Sequence, residues 1–211
     1  DRGRLAEIFK ANLAAHPAYQ QIRYISAKDH GLELVRIDRQ GDTLVRAADE
    51  ALQEKAHFPF VFEALGLAAG QVYVSDFGIN HEGSPEDDAL PVFSMASPVV
   101  QGGQVRGVVV VVRVAAEPFL KNFNAALPAP YDFFLSNRWG DFLVHPDSAQ
   151  TFGFDRGQRI LIQEAFAPVA ALVEGRAQEV VLSQPGSGDE EAQVFSFVRM
   201  PFGGEDEGRF M

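Results

Sequence analysis

The stretch LVRIDRQGDTLVR, from Leu34 to Arg46, constrains the fold more than any other, because it reads as a strand, a tight turn and a second strand. Gly supplies the positive φ of a short hairpin turn and Asp favours turns, so the composition at Gly41-Asp42 has a local mechanism. The stretch also recurs. FLSNRWGDFLVH, from Phe134 to His145, sets Asn137-Arg138-Trp139-Gly140-Asp141 over Asp38-Arg39-Gln40-Gly41-Asp42 and keeps Arg, Gly, Asp and the following Leu and Val. A Gly-Asp turn is common in β proteins, so one such match arises by chance; the alternative is two copies of a small α+β module, each opening its sheet with this hairpin. At 211 residues the chain has room for one large domain or two of roughly 100 residues. Two modules are the working expectation.

Leu5, Ile8, Phe9 and Leu13 recur near helical spacing ahead of Pro17 and predict an N-terminal helix over residues 1–15. Alternation predicts strands over 22–26, 32–38 and 42–46, with Lys28-Asp29-His30-Gly31 as the first turn. Residues 47–67 read as helical, divided by Pro59. A strand over 71–76 leads into a long polar loop over 77–90, the kind of loop that is more often functional than idle. Strands 92–100 and 105–114 form a hairpin over Gln101-Gly102-Gly103-Gln104, and the second, the most apolar in the chain, is expected at the sheet centre. A short helix over 117–127 precedes Pro128-Ala129-Pro130, the expected module boundary. The second module then shows its hairpin over 132–144, a helix over 158–173 containing Pro168, and strands 178–183 and 193–200. Runs of antiparallel strands with helices to one side define an α+β fold.

The composition excludes several functions. A formal net charge of −11 makes nucleic acid or an anionic membrane surface a poor partner. With no cysteine there is no disulfide scaffold, thiolate metal site or thiol nucleophile. No apolar run approaches the ~18 to 20 residues that span a bilayer. The start at Asp1 and the strand-like end at Arg209-Phe210-Met211 are read as marks of a fragment from a longer protein. His16, His30, His57, His81 and His145 lack the spacing of helix-borne metal ligands, and His81, Glu82, Asp87 and Asp88 are better read as a solvated acidic loop than as a cation site. There is no Gly-x-Ser-x-Gly elbow and no glycine-rich phosphate cradle, so no catalytic residue and no cofactor is expected.

What remains is a polar set on strands of the first module: Arg36, Tyr73, Ser75 and Asp76, with Ser94 and Ser97 on the neighbouring strand. Tyr73 and Ser75 share one strand face. Covered by Phe58, Phe60 and Phe62, they are expected to line a small polar pocket under an aromatic roof. The plainer reading buries Tyr73 in the core and turns Arg36 outward into a salt bridge.

The succession Arg23-Tyr24-Ile25, Glu33-Leu34-Val35-Arg36-Ile37-Asp38, Leu52-Gln53-Glu54-Lys55, Val72-Tyr73-Val74-Ser75-Asp76, Pro91-Val92-Phe93, Ser97-Pro98-Val99 and Gly107-Val108-Val109-Val110 resembles the membrane-distal module of double Cache, or tandem PAS-like, bacterial sensor domains. Phe134-Leu135-Ser136-Asn137 through Gly140-Asp141-Phe142-Leu143 to His145-Pro146-Asp147 resembles the opening of their membrane-proximal module. The resemblance implies a signalling helix over 1–20, a distal module over 21–127 and a proximal module over 128–211. It implies an extracytoplasmic, non-catalytic domain held between transmembrane helices of a histidine kinase, or else of a diguanylate cyclase or chemoreceptor, working as a homodimer. Such a domain binds a small molecule in the distal module, here through Arg36, Phe58, Phe60, Phe62, Tyr73, Ser75, Asp76 and Ser94, and passes a shift through its first helix. Two departures bear on the ligand. Where amino-acid-binding members carry Arg-x-Trp-Tyr this chain has His57-Phe58-Pro59-Phe60-Val61-Phe62, which argues against free amino acids, and Ser94-Met95-Ala96 replaces an arginine that similar sensors use for carboxylates. A periplasmic enzyme and a purely structural interaction module are the readings from other classes.

Overall fold

A computed structural model describes residues 1–79, 91–115, 120, 128, 131–186 and 192–200 of the chain. Two compact units divide it, Asp1–Lys121 and Asn122–Met211, against an expected boundary at 127/128. The architecture is a mixture of helix and antiparallel sheet, as its patterning requires.

The first unit opens with α1 (Arg2–Ala15), whose N-cap Asp1 accepts the Gly3 and Arg4 amides. Ala6, Phe9 and Leu13 form its buried stripe, while Ile8 is 56% exposed and lies off it. The sheet contains β1 (Tyr19–Ser26), β2 (Glu33–Gln40), β3 (Thr43–Arg46), β4 (Tyr73–Val74), β5 (Gly78–Ile79), β6 (Pro91–Gln101) and β7 (Gln104–Ala115). Its order is β3-β2-β1-β7-β6-β4, with β5 pairing β6, so the most apolar strand, β7, does lie in the interior. The β2–β3 turn pairs Gln40 with Thr43 across Gly41, at φ 59°, and Asp42. Between β6 and β7 the turn is Gly102-Gly103, both at positive φ, where a side chain would be strained.

One sheet face is apolar: Ile22, Val35 and Ile37 meet Ala6, Phe9 and Leu13 of α1. Arg39 locks the helix end by donating to the carbonyls of Tyr19 (3.0 Å) and Leu13. On the opposite face α2 (Pro59–Leu65) packs Phe60, Val61 and Ala64 over Ile25, Val108, Val110, Ala96 and Tyr73.

Three expectations need correction. Residues 47–67 are not one divided helix: only Pro59–Leu65 is α-helical, after a 3-10 turn at Asp49–Ala51. The intervening backbone is claimed by the entry to β2, where Glu33 N donates to Gln53 O (3.0 Å) and Lys55 N to Gly31 O (2.9 Å), and those bonds exclude a helical ladder. The strand over 71–76 is regular only at Tyr73–Val74, although Ser75 N continues the pairing to Ser94 O (2.8 Å). The helix over 158–173 reduces to turns at Ile162–Ala165 and Ala170–Val173 around a 3-10 turn, Ala167–Val169, because Pro168 offers no amide hydrogen. The acidic loop with His81, Glu82, Asp87 and Asp88, and all of the helix over 117–127 but Leu120, lie outside the described residues.

The second unit holds two separate ribbons, β8 (Leu135–Ser136) with β9 (Phe142–Val144), and β10 (Glu179–Gln184) with β11 (Gln193–Val198). Phe142, Ile162, Val169 and Leu172 form its core, with Phe134, Phe166, Val180, Leu182 and Phe197 packed against them.

Candidate functional site

Register places the predicted residues. Arg36 pairs with Arg23, Arg23 with Val110, Val110 with Ala96, and Ala96 with Tyr73, so these five positions form one cross-strand row on the α2 face. Four inter-strand steps of about 4.8 Å separate its ends by roughly 19 Å. Arg36 and Tyr73 therefore share a face without sharing a small contact point. The eight residues fall into two groups, Arg36 at one end and Tyr73, Ser75, Asp76 and Ser94 at the other.

At the Arg36 end the side chains close a ring. Arg23 Nη1 lies 2.9 Å from Glu33 Oε1, and Arg36 Nη1 lies 2.9 Å from Glu33 Oε2. Arg36 Nε donates to Asp38 Oδ2 (3.1 Å), Gln21 Nε2 donates to Asp38 Oδ1, and Arg23 Nη2 donates to Gln21 Oε1. Gln53 N adds a bond to Glu33 Oε2 (3.1 Å). Arg23 and Glu33 are sealed, with side chains 1% and 0% exposed, whereas Arg36 and Asp38 keep 16% and 21% at the surface. Two guanidinium groups face two carboxylates, so the ring carries no net charge. Arg36, expected either in the pocket or in an outward salt bridge, is shared between Glu33 and Asp38.

The aromatic cover is partial. The Phe60 ring lies 5.7 Å from the Arg23 guanidinium carbon and stacks on Phe58 at 5.1 Å, and Lys55 Nζ lies 4.6 Å from the Phe58 ring. Phe62 is 50% exposed and takes no part in this stack. The Lys55 contact follows from the hydrogen bonds that draw residues 53–56 along the start of β2, which no local pattern announces.

At the far end Tyr73 is buried against α2. Ser75 Oγ accepts from Ser94 N and donates to Asp76 O, both at 2.8 Å, so this hydroxyl stitches β4 to β6. Ser94 sits at the irregularity of β6 between Phe93 and Met95. One position along from the first row, Asp38 pairs with Gln21 and Gln21 with Val112, and Ser94 with Ser75 lies at the other end. This second row is polar wherever its side chains are described. Sequence reading missed Gln21, Arg23, Glu33 and Asp38 as a unit. The signal was the alternation in Tyr19–Ser26, where Gln21 and Arg23 interleave with Ile22 and Tyr24.

In the second unit Asp141 is 2% exposed and is gripped by Arg159 through Nε (2.6 Å) and Nη2 (2.9 Å), which raises the Arg159 pKa above its ordinary value. Asn137 Oδ1 accepts the Trp139 and Asp141 amides at 3.0 Å each and shapes the turn. Asp147 caps the 3-10 turn Ser148–Gln150; the Ala149 amide and then the Gln150 side chain hold its carboxyl below the usual range. A cavity of about 750 Å³ opens between the β8 and β11 segments over Ile162, Val169 and Leu172. Among the described residues no group of three or more His, Asp or Glu is placed to hold a metal ion.

The first unit is thus an antiparallel sheet with a helix on each face, one face apolar and the other carrying a largely buried ionic ring. Comparisons with known proteins place this fold. The model of the bacterial histidine kinase sensor domain matches residues 1–165, and the chain belongs to that family. Among solved structures, the extracellular domain of vpHK1S-Z8, a protein assigned as a histidine kinase, superposes with a TM-score of 0.69 at 15% identity, covering 94% of this chain and 71% of that one. A domain of a sensory box/GGDEF family protein from Vibrio parahaemolyticus gives 0.65 at 15% identity, with 93% and 78% covered. The ligand-binding domain of Mlp24, solved with asparagine, gives 0.55 at 12% identity, with 92% and 68% covered. At these identities the likeness carries the fold alone. A search of curated proteins finds no match.

Proposed function

We propose that the first unit binds a small polar molecule on the α2 face of its sheet, and that the chain is the periplasmic part of a receptor anchored in the inner membrane by flanking helices, with kinase activity on the cytoplasmic side. The observation that carries this reading is the asymmetry of the sheet: α1 covers buried residues that are all apolar, while the opposite face buries Gln21, Arg23 and Glu33 and half-buries Arg36 and Asp38 beside the Phe58–Phe60 stack. Burying that much polarity costs stability unless it is fully partnered, and an apolar core would have served packing better. The floor offers Arg36 and Asp38 at one end and Ser75, Asp76 and Ser94 at the other, with Phe58, Phe60 and Tyr73 between them; Phe62, on the outer side of α2, is proposed as a closing contact only. Because the ring is neutral, it fits a polar solute without net charge. Asparagine in the Mlp24 domain is a solute of that charge, but His57-Phe58-Pro59-Phe60 in place of Arg-x-Trp-Tyr argues against a free α-amino acid here. The two units are read as tandem Cache-type modules, the second relaying the shift, and the receptor as a homodimer joined along α1.

Thermal melts against a metabolite library test the reading. A ligand at about 100 times its Kd adds about 2.7 kcal/mol, or roughly 5 to 11 °C for a chain of this size. Ser94→Ala and Asp38→Asn are expected to shrink that shift while leaving the unliganded melt within a few degrees. A screen without any shift sinks the ligand reading and leaves a structural module.

A further inference from the structure

The ionic ring and the end of α1 lie on opposite faces of the first unit's sheet, yet neighbouring residues of β2 hold them both. Asp38 faces α2 and accepts from Arg36 Nε (3.1 Å) and from Gln21 Nε2. Strand alternation turns Arg39 the other way, to the α1 face that Val35 and Ile37 share. Its guanidinium gathers three backbone carbonyls, donating from Nε to Tyr19 O (3.0 Å) and from Nη2 to Leu13 O and to His16 O, the last at 3.4 Å. Leu13 and His16 close α1, and Tyr19 opens β1. The last carbonyls of a helix are short of intrahelical donors and carry partial negative charge, so a cation is favoured there. Only Pro17 and Ala18 separate the helix end from β1, and the His16 ring stacks on the Tyr19 ring at 4.8 Å. The junction between α1 and β1 is thus held by its own stack and by Arg39.

Both sets of bonds depend on one alignment of strands. Gln21 pairs with Asp38 across β1–β2, so the Asp38–Gln21 bond on one face and the Arg39–Tyr19 bond on the other join the same two strands at nearly the same level. A twist of β2 against β1 that lengthens one lengthens the other. The strand pair also contains a place that can absorb such a twist. Its register shifts between Tyr24 and Ile25, and Arg36 reaches across that irregularity, with Glu33 on one side and Asp38 on the other. Arg23 and Glu33 are sealed, whereas Arg36 and Asp38 keep contact with the surface, so this half of the ring is the half that a solute can reach. The geometry points to Arg39 as a coupling residue: the state of Arg36, Asp38 and Gln21 on the polar face sets how firmly the last turn of α1 is held to β1. The coupling belongs to the unliganded protein and stands whether or not a solute is found for the polar face.

A double-mutant cycle read by hydrogen–deuterium exchange tests it. The amides followed are His16, bonded to Asn12 O and Leu13 O, and Tyr19, bonded to His16 O. Asp38→Asn, a change on the α2 face, is expected to speed their exchange about tenfold. Arg39→Met, which keeps the length of the side chain and removes its donors, is expected to speed it at least as much, and Asp38→Asn added to Arg39→Met to speed it no further. Arg39→Lys, which keeps the charge, carries the same cycle where Arg39→Met is too unstable to measure. Two controls are expected to stay within about twofold: the same amides in Ser94→Ala, at the far end of the polar face, and the Val110 amide of β7 in Asp38→Asn. Unchanged exchange at His16 and Tyr19 in Asp38→Asn overturns the proposal. So do effects of the two variants that multiply, which would make the faces independent, or a speed-up shared by Val110, which would mark a general loss of stability.

Discussion

Glu33 sits where two guanidinium groups and an amide converge: it pairs with Arg23, accepts from Arg36 Nη1 and Gln53 N, and has its own side chain 0% exposed. Removing its charge leaves two guanidinium groups beside Asp38 alone, one of them fully buried. Breaking a buried pair from one side costs about 3 to 5 kcal/mol, whereas replacing both partners by apolar residues of similar volume is often neutral. Glu33→Gln is therefore expected to lower the unfolding free energy in urea by about 3 kcal/mol, and Arg23→Met with Glu33→Leu to recover most of it. A double variant as unstable as the single one would show that the ring supports the fold through more than mutual neutralisation. At this scale much was legible: the alternation of β1 and β2 says which side chains share a face. That Arg36 is consumed by Glu33 and Asp38 was not, because the reach of a guanidinium across strands depends on register.

The opening hairpin shows how far an element can be read from its residues. Both copies form hairpins around their Gly-Asp, yet Gln40–Thr43 closes over two residues while Asn137 N bonds Asp141 O over three. The Asn137 side chain makes the difference, taking two amides that Asp38, engaged by Arg36 and Gln21, leaves alone. The helices were read less well. Residues 52–56 have helical composition but are held extended by the backbone of residues 30–33, a tertiary claim that overrides propensity. Between β1 and β7 the strands approach so closely that a methyl group on Gly107 would lie 2.3 Å from Ile25 O and 2.8 Å from the Tyr24 ring. Gly107→Ala is expected to destabilise the protein by about 2 kcal/mol through overpacking, measured by chemical denaturation. A loss under about 0.5 kcal/mol, the range of ordinary surface substitutions, would mean the pairing relaxes freely.

For the whole molecule, family membership and the divided architecture make this chain a sensor domain with two compact units, and among the described residues no helix is long and apolar enough to cross a membrane. Ile8 is the one large apolar side chain of α1 that the first unit leaves over half exposed. If the receptor pairs along this helix, Ile8→Arg should raise the dimer dissociation constant about tenfold, the equivalent of roughly 1.4 kcal/mol, in sedimentation equilibrium, and leave the melting temperature nearly unchanged. A monomer at every concentration in both proteins would count against pairing through α1 in this chain.

The sequence by itself determined the elements whose causes are local. These are the amphipathic first helix, the alternating strands, the Gly-Asp hairpins and the β6–β7 pair, because strand period, capping and turn chemistry act within a few residues. It also determined that the chain is α+β, through the order in which those elements follow one another. Only the tertiary structure decided that Arg36 and Tyr73 lie four strands apart, that Gln21, Arg23, Glu33, Arg36 and Asp38 close into one neutral ring, and that β8 and β11 face each other across an open groove. The physical reason is common to all three. Each depends on which strand lies beside which, and strand order is set by where the chain returns after its crossovers, a choice made by burial of the whole sheet rather than by any one segment.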